Sequence, residues 1–351
     1  MVLDSPKQRN QELDILKGVG MLLVIIGHSG CIWPFYHAIY AFHMPLFFIV
    51  SGLFFSTSKS IWTVIKNGYK QLIRSYLAIV FVTTLLLFLL KDHYGVFLKS
   101  ALLGASVPND YNMRLGPIWF LLALYWSRVI YRVLAQWLDE TTRTVVISLI
   151  AFAILVFQRY VCKDLFRFPY NIMQGFFCLF YYHIGVLLRK HNALDVLKGF
   201  SRNKSWLLIS ISLSLLGVSL IVDRLVGASM NISLLRAPFM PIDVLNAIGL
   251  TLSLYVVILK ISAISQRVEF LQAVQNALQF LGKYSLVLFA IHCVEYQTTI
   301  PMISKLAKSL MEIASNPIQK AAVLLINPIV QIAICVLLVC LWHRLKIMRF
   351  K

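Results

Sequence analysis

Residues 15–33 read ILKGVGMLLVIIGHSGCIW, an apolar stretch long enough to cross a lipid bilayer as one helix. Further apolar stretches of this kind follow along the chain. They lie at 36–56, 72–90, 117–136, 144–158, 171–188, 205–222, 241–259, 279–300 and 322–342. The sequence therefore predicts an all-α polytopic integral membrane protein with about ten transmembrane helices. We expect a single transmembrane domain over residues 1–351, with no appended soluble domain.

The composition of the 351-residue chain agrees with this fold class. Hydrophobic residues make up 59% of it and charged residues only 13%, about half the share usual in soluble proteins. The net charge of +19 does not indicate a nucleic-acid partner, because the basic residues lie at the ends of apolar stretches and form no long patch. With the N-terminus inside, Lys and Arg are twice as frequent in cytoplasmic positions as outside. We therefore expect a protein of the cytoplasmic membrane with both termini in the cytoplasm.

The cysteines show no spacing typical of a metal site, and no metal is expected. Most of them lie inside apolar stretches, where a thiol behaves as a small hydrophobe. Cys31 and Cys162 could both reach the outer side, but we do not expect a disulfide between them.

Ionisable side chains inside membrane spans are costly and are functional candidates by default. The candidates are His28, His43, Arg128, His183, Asp243, His292 and Glu295. Distances from the predicted helix ends place His28, His43 and His292 at similar depths, in the middle or outer half of the bilayer. A lone histidine in a membrane helix is often a packing residue, but three at one depth favour a shared site. His183 lies near the inner end of its span and fits a structural or interfacial role better.

The first helix combines a basic residue and a histidine on one face. Lys17 and His28 are eleven residues apart, which is within about 20° of three full turns and spans roughly 16 Å along the axis. Asp14 lies one turn before Lys17 and could pair with it. Lys17 could equally be an interfacial anchor. One stripe thus predicts a cation near the cytoplasmic mouth and an imidazole deep in the bilayer.

Four other positions are less specific. Trp119 follows Gly116 and Pro117 and could orient a ligand or belong to an aromatic belt. Ser51 precedes Gly52 in a segment that could permit close helix packing. Lys70 and Arg74 at the inner end of the third span could bind phosphate or follow the positive-inside rule. The segment 57–71 that carries Lys70 is either an interfacial amphipathic helix or an ordinary polar loop.

Several segments, in order and over nearly the whole chain, resemble acyltransferase family 3, the membrane-bound O-acyltransferases that include fucose 4-O-acetylase-like proteins. The matching segments are Leu13-Asp14-Ile15-Leu16-Lys17-Gly18 through Gly27-His28, Phe42-His43-Met44-Pro45-Leu46-Phe47-Phe48-Ile49-Val50-Ser51-Gly52-Leu53-Phe54, Gly116-Pro117-Ile118-Trp119-Phe120-Leu121, Gly185-Val186-Leu187-Leu188 and Leu281-Gly282-Lys283-Tyr284-Ser285-Leu286 followed by His292. One departure concerns the start of the third span. Where family members often carry two arginines three residues apart, this chain has Gln71 and Arg74.

The resemblance implies transfer of an acetyl group from cytoplasmic acetyl-CoA, or another acyl-CoA, to a hydroxyl of a cell-surface or lipid-linked glycan. O-antigen, exopolysaccharide and capsule are all compatible acceptors, and the other expected partner is membrane lipid. His28 would act as general base or as transient acyl carrier. His43 and His292 would orient the acceptor or stabilise the oxyanion. The basic residues Lys17, Lys70 and Arg74 would hold the phosphates of coenzyme A.

Two functions of other classes remain open from the sequence. A transporter or flippase could use the intramembrane histidines as a proton relay. However, the chain shows no inverted repeat, and its apolar stretches carry few acidic residues, chiefly Asp243 and Glu295. A structural or sensor protein without catalysis would leave the ordered motifs and the common depth of the histidines unexplained.

Overall fold

The computed structural model describes residues 10–30, 35–104, 115–162, 168–227, 229–313 and 315–348. In these ranges the chain is helical and forms no strand apart from an isolated bridge between Asn231 and Arg236. The α-helices are α1 Gln11–His28, α2 Phe35–Tyr40, α3 His43–Gly52, α4 Ile61–Gly68, α5 Arg74–Leu89, α6 Tyr94–Leu103, α7 Trp119–Trp137, α8 Glu140–Val156, α9 Ile172–Lys190, α10 Ala193–Lys198, α11 Arg202–Val226, α12 Met240–Ser265, α13 Glu269–Lys283, α14 Ser285–Gln297, α15 Thr299–Ile313 and α16 Pro317–Met348.

Within the described residues, 8 helical segments are long and apolar enough to cross a membrane. These are Phe35–Gly52, Ile61–Leu89, Gly116–Trp137, Glu140–Val161, Pro169–Lys190, Arg202–Val226, Met240–Ser265 and Val323–Lys346. The all-α polytopic membrane fold is thereby confirmed. Helix α1 has 18 residues, but its first turns carry the charged side chains of Glu12, Asp14 and Lys17. The total of about ten spans and the cytoplasmic termini stay predictions.

The predicted span 279–300 is not one straight helix. Helix α13 ends at Lys283 and α14 begins at Ser285, with a bend of 76° between the two. Hydropathy averaged over a window does not detect the break, because the apolar residues of α14 outweigh Lys283 and Ser285 on either side of Tyr284. The segment 57–71 is helical rather than an open loop. It contains α4 and continues through a π-helical segment, Tyr69–Ile73, into α5.

Side-chain caps determine where several helices begin. Asn10 accepts a hydrogen bond from the backbone N–H of Leu13 at 2.9 Å and so caps α1. Ser60, Asp139 and Ser201 cap α4, α8 and α11 in the same way. Each cap satisfies a backbone donor that the helix itself leaves unpaired, so these polar positions start the helices where they do.

Pairs of glycines let the central helices approach closely. A Cβ atom at Gly18 of α1 would lie 2.1 Å from the carbonyl oxygen of Leu278 in α13. A Cβ atom at Gly52 of α3 would lie 2.0 Å from the carbonyl oxygen of Tyr182 in α9, and Gly185 faces Gly52 from α9. Small residues at helix contacts are the usual means of packing in membranes. These contacts place α1 at the centre of the bundle, against α3, α12, α13 and α14.

Candidate functional site

Three histidines from three helices converge at the end of α1. The ring centroid of His28 lies 6.4 Å from that of His43 and 5.3 Å from that of His292. Nε2 of His292 is 3.4 Å from Nδ1 of His28. His43 and His292 are buried, while His28 is partly exposed. The structure thus brings together the histidines that the sequence places at one depth.

Backbone carbonyl groups determine which ring nitrogen of His28 and His43 carries the proton. Nδ1 of His28 lies 2.8 Å from the carbonyl oxygen of Val24, and Nδ1 of His43 lies 2.7 Å from that of Ile39. A carbonyl oxygen only accepts hydrogen bonds, so Nδ1 is the donor in both rings. Each neutral ring therefore keeps a lone pair on Nε2, the form in which imidazole acts as a base.

A cavity of about 350 Å³, here named the histidine cavity, opens beside His28 and His43. The other lining residues that matter below are aromatic or polar: Tyr36, Tyr40, Trp119, Asn231, Ser233 and Tyr296. Tyr36 and Tyr40 are stacked at 4.1 Å, and the ring of Tyr296 lies 5.4 Å from that of His28. Trp119, at the start of α7, is mostly buried and forms part of this wall.

A second cavity, the central cavity, follows the face of α1 that the sequence singles out. It has a volume of about 250 Å³ and is lined by Lys17, Met21 and Val24, one turn after another. The next position on this face is His28. Met44 lines both the central cavity and the histidine cavity and separates them. The α1 stripe therefore connects a lysine at one end with the histidine cluster at the other.

Around Lys17 the central cavity borders a wider and more polar space of about 890 Å³, named the basic vestibule. Its basic lining residues are Lys17, Lys59, Arg189 and Lys198. Asp14 also lines it, and its carboxylate lies 2.6 Å from Nζ of Lys17. The pairing of Asp14 with Lys17 that the sequence suggests is present, and it fixes the ammonium group at the junction of the two spaces.

Arg128 is a candidate that the sequence indicates as a charged group inside a span but does not assign to the site. Its Nε donates to the hydroxyl of Ser51 at 3.1 Å, and its Nη1 donates to Oε1 of Gln71 at 3.1 Å. All three residues line the central cavity. A guanidinium in an apolar wall is costly unless it is hydrogen-bonded, and these partners hold it there. The charged group inside a span was the available signal.

The other predicted phosphate ligands lie elsewhere. Lys70 and Arg74 are exposed, and neither lines the central cavity or the basic vestibule. The π-helical segment Tyr69–Ile73, which is wider than an α-helix, contains Lys70 and immediately precedes Arg74. Their role in donor binding stays a prediction.

His183 has the structural environment that its position suggests. Its Nδ1 lies 2.9 Å from the hydroxyl of Tyr131, and its Nε2 lies 2.8 Å from the hydroxyl of Thr144. The Thr144 hydroxyl donates to the carbonyl of Glu140, so Nε2 donates to Thr144 and Nδ1 accepts from Tyr131. Both ring nitrogens are satisfied, and α7, α8 and α9 are joined through this ring.

Comparison with known proteins shows which family the chain belongs to. A family model described as an acyltransferase domain, that of acyltransferase family 3, matches residues 10–343. The chain belongs to this family. Nodulation protein NolL of Mesorhizobium japonicum (strain LMG 29417 / CECT 9101 / MAFF 303099) is 29% identical over 137 residues, which cover 36% of this chain and 36% of that protein. The chain thus matches about a third of the length of this curated relative. No solved structure matches the chain.

Membership confirms the resemblance to acyltransferase family 3, and the helices long enough to cross a membrane agree with it. The fucose 4-O-acetylase-like subtype stays a prediction. The site described above lies within the matched residues, so the histidine cluster is the candidate for the acyl-transfer centre of this family member.

Proposed function

We propose that this acyltransferase moves an acetyl group from acetyl-CoA to a hydroxyl of a cell-surface or lipid-linked glycan, with His28 as the general base. The observation that carries the proposal is the position of His28. It stands at the end of the α1 stripe along the central cavity and also lines the histidine cavity. His28 therefore lies in the cavity proposed for the acceptor and one turn beyond Val24, which lines the cavity proposed for the donor.

The basic vestibule and the central cavity suit a coenzyme A donor. Its phosphate groups are polyanionic, and the vestibule offers the cationic side chains Lys17, Lys59, Arg189 and Lys198. The narrower central cavity is mainly apolar, and Arg128 adds one fixed guanidinium to its wall. The roughly 16 Å between Lys17 and His28 approximates the length of the arm that carries the thioester.

The histidine cavity suits a saccharide acceptor. Sugar rings present C–H faces that pack on aromatic rings, and the cavity offers Tyr36, Tyr40, Trp119 and Tyr296. Sugar hydroxyls need hydrogen-bond partners, which Asn231 and Ser233 can supply at the same wall. Few convergent polar groups in a mainly apolar pocket are typical of a small-molecule site.

The proposed reaction accounts for every bond formed and broken and for the proton that is transferred. Nε2 of His28 takes the proton of the acceptor hydroxyl as its oxygen attacks the thioester carbon. The new C–O bond forms, the C–S bond breaks, and His28 returns the proton to the leaving thiolate. His43 and His292 lie close enough to His28 to position its ring, and the Nε2 lone pair of His43 can accept a hydrogen bond from an acceptor hydroxyl and so orient it. A transient acyl group on His28 itself is the alternative route, with the same overall balance.

Labelled acetyl-CoA given to membranes that contain the protein tests the proposal. The wild type should place label in a glycan product, and His28→Ala should lower that transfer by at least about 100-fold, as expected for the loss of a general base. His93→Ala is the matched control, because this histidine is exposed and lies in the turn before α6. Its transfer should equal that of the wild type.

Two outcomes would contradict the proposal. Wild-type transfer by His28→Ala, in protein that accumulates normally, would exclude His28 as the base. Movement of glycan across the membrane with no label in any product would favour the transporter instead. Mass spectrometry of surface and lipid-linked glycans, with and without the gene, would identify the acceptor by the acyl group that disappears.

A further inference from the structure

A buried carboxylate lies behind the histidine cluster, and the proposed reaction does not use it. Glu295 follows His292 by one turn of α14 and faces Cys335 of α16. Glu295 is only 3% exposed, and both His292 and Cys335 are fully buried. A carboxylate in such a place is costly unless it serves as a hydrogen-bond acceptor or charge partner.

The hydrogen bond that His28 donates indicates which ring nitrogen of His292 carries the proton. Because Nδ1 of His28 donates to Val24, Nε2 of His292 can face it at 3.4 Å only with a lone pair. His292 therefore carries its proton on Nδ1. This Nδ1 has no hydrogen-bond partner among the described residues, and Oε2 of Glu295 is 4.0 Å away.

The carboxylate of Glu295 can accept a hydrogen bond from Nδ1–H of His292. Its Oε2 already accepts from the thiol of Cys335 at 2.7 Å, and its Oε1 has no partner among the described residues. The 4.0 Å between Nδ1 of His292 and Oε2 is too long for a hydrogen bond. Catalytic hydrogen bonds are often long before substrate binds and shorten in the complex, and a small rotation of the carboxylate closes this gap.

We propose that Glu295 is a positioning residue that acts on His28 through His292. It keeps His292 in the form with the proton on Nδ1, so that the Nε2 lone pair faces His28. When His28 takes the acceptor proton on its own Nε2, the resulting imidazolium is stabilised by His292 and, behind it, by the carboxylate. No proton leaves His292 or Glu295, and the proton held by His28 goes to the leaving thiolate. This role rests on the proposed function of His28.

A metal ion is the rival explanation of the cluster. The donor atoms of His292, Glu295 and Cys335 lie within 4.8 Å of one another, and nitrogen, oxygen and sulfur ligands are those that Zn²⁺ accepts. A metal on Nδ1 of His292 would force its proton onto Nε2, where it would face the Nδ1–H of His28. The geometry therefore favours the hydrogen-bonded chain.

Kinetics of the purified full-length protein in detergent test the role of Glu295. The turnover number should fall progressively in Glu295→Asp, Glu295→Gln and Glu295→Leu, reaching about 100-fold in the last. The KM values for acyl-CoA and acceptor should stay at those of the wild type, because Glu295 contacts neither. Cys335→Ala should change turnover by less than about fivefold, the effect of losing one ordinary hydrogen bond. Wild-type turnover in Glu295→Gln and Glu295→Leu would overturn the proposal.

Histidine-selective ¹⁵N NMR gives a readout that does not need acyl transfer. In the wild type, the rings of His28 and His292 should both carry the proton on Nδ1. Glu295→Leu should lower the share of His292 rings in this form, because the carboxylate that favours it is gone. If His292 keeps its proton on Nδ1 in Glu295→Leu to the same extent as in the wild type, the positioning role is overturned. Bound zinc, together with equal loss of turnover in Cys335→Ala and Glu295→Leu, would also overturn it in favour of a metal site. If the ring changes as expected but the wild type transfers no acyl group, the positioning of His292 stands and the proposed function fails.

Discussion

Nδ1 of His28 donates a hydrogen bond to the carbonyl oxygen of Val24, 2.8 Å away within the same helix. This contact assigns the proton to one ring nitrogen and leaves the lone pair of Nε2 as the base. It also anchors the ring to the backbone of the last turns of α1 and so limits its rotation. The same hydrogen bond therefore serves the fold and prepares the proposed chemistry.

His28→Asn should separate these two roles. The asparagine amide can occupy the place of Nδ1 and keep the hydrogen bond to Val24, but it offers no base. Acyl transfer should fall by at least about 100-fold, while the free energy of unfolding changes by no more than about 1 kcal/mol. Transfer assays and thermal unfolding in detergent measure the two effects. A variant that is active, or one that is inactive only because it unfolds, would contradict the assignment.

Arg128→Gln should weaken the use of acyl-CoA. The guanidinium of Arg128 is held by Ser51 and Gln71 in the wall of the central cavity. Loss of a charge-assisted contact to the donor should raise its KM about tenfold, equivalent to about 1.4 kcal/mol. Arg132→Gln is the matched control, because Arg132 lies one turn further along α7, bonds to the carbonyl of Lys59 and lines neither the central cavity nor the basic vestibule. Equal KM values in the two variants would exclude a donor contact at Arg128.

Lys17→Ala and Arg74→Ala should differ in their affinity for coenzyme A. Lys17 lies at the junction of the basic vestibule and the central cavity, whereas Arg74 is exposed outside both. Equilibrium binding should weaken about tenfold in Lys17→Ala, the effect of losing one charge-assisted contact, and less in Arg74→Ala. The reverse order would place the phosphate groups on the exposed face of α5 instead.

The sequence predicts the depth of the site in the membrane better than the contacts of the side chains that line it. Helix rise alone relates Lys17 to His28 and puts the histidines at one level, because distance along a helix depends only on residue number. The direction in which a helix presents a side chain to its neighbours depends on tertiary packing. That is why Arg128 and Glu295 could be noticed as costly groups but not assigned partners.

Local irregularities explain the remaining differences. The π-helical segment Tyr69–Ile73 shifts the register of α5, so the positions of Lys70 and Arg74 could not be read from regular helix geometry. The break at Tyr284 lies inside a stretch that is apolar on average despite Lys283 beside the break, so hydropathy describes it as one span. Backbone direction is not encoded in hydropathy, so neither feature can be predicted from it.

Gly52→Ala should destabilise the bundle. The added Cβ atom would lie 2.0 Å from the carbonyl oxygen of Tyr182, a backbone atom that cannot move away easily. Overpacking of this kind costs about 1–3 kcal/mol and should lower the unfolding temperature in detergent. Gly217→Ala in α11 is the control, since a Cβ atom there meets nothing within 4 Å. That variant should be neutral or more stable by up to about 1 kcal/mol, and equal destabilisation of both variants would contradict close packing at Gly52.

Met44→Trp should stop transfer without preventing donor binding. Met44 borders both the central cavity and the histidine cavity, so under the proposed function it lies between the donor and the acceptor. A larger side chain there should lower turnover at least about 100-fold, because a misplacement of 1 Å is sufficient for such a loss.

The smaller Met44→Ala should instead widen the passage and increase hydrolysis of acyl-CoA in the absence of acceptor. Met21→Ala is the control, because Met21 lines the central cavity but not the histidine cavity. Normal transfer by Met44→Trp, or equal hydrolysis by Met44→Ala and Met21→Ala, would show that donor and acceptor meet elsewhere.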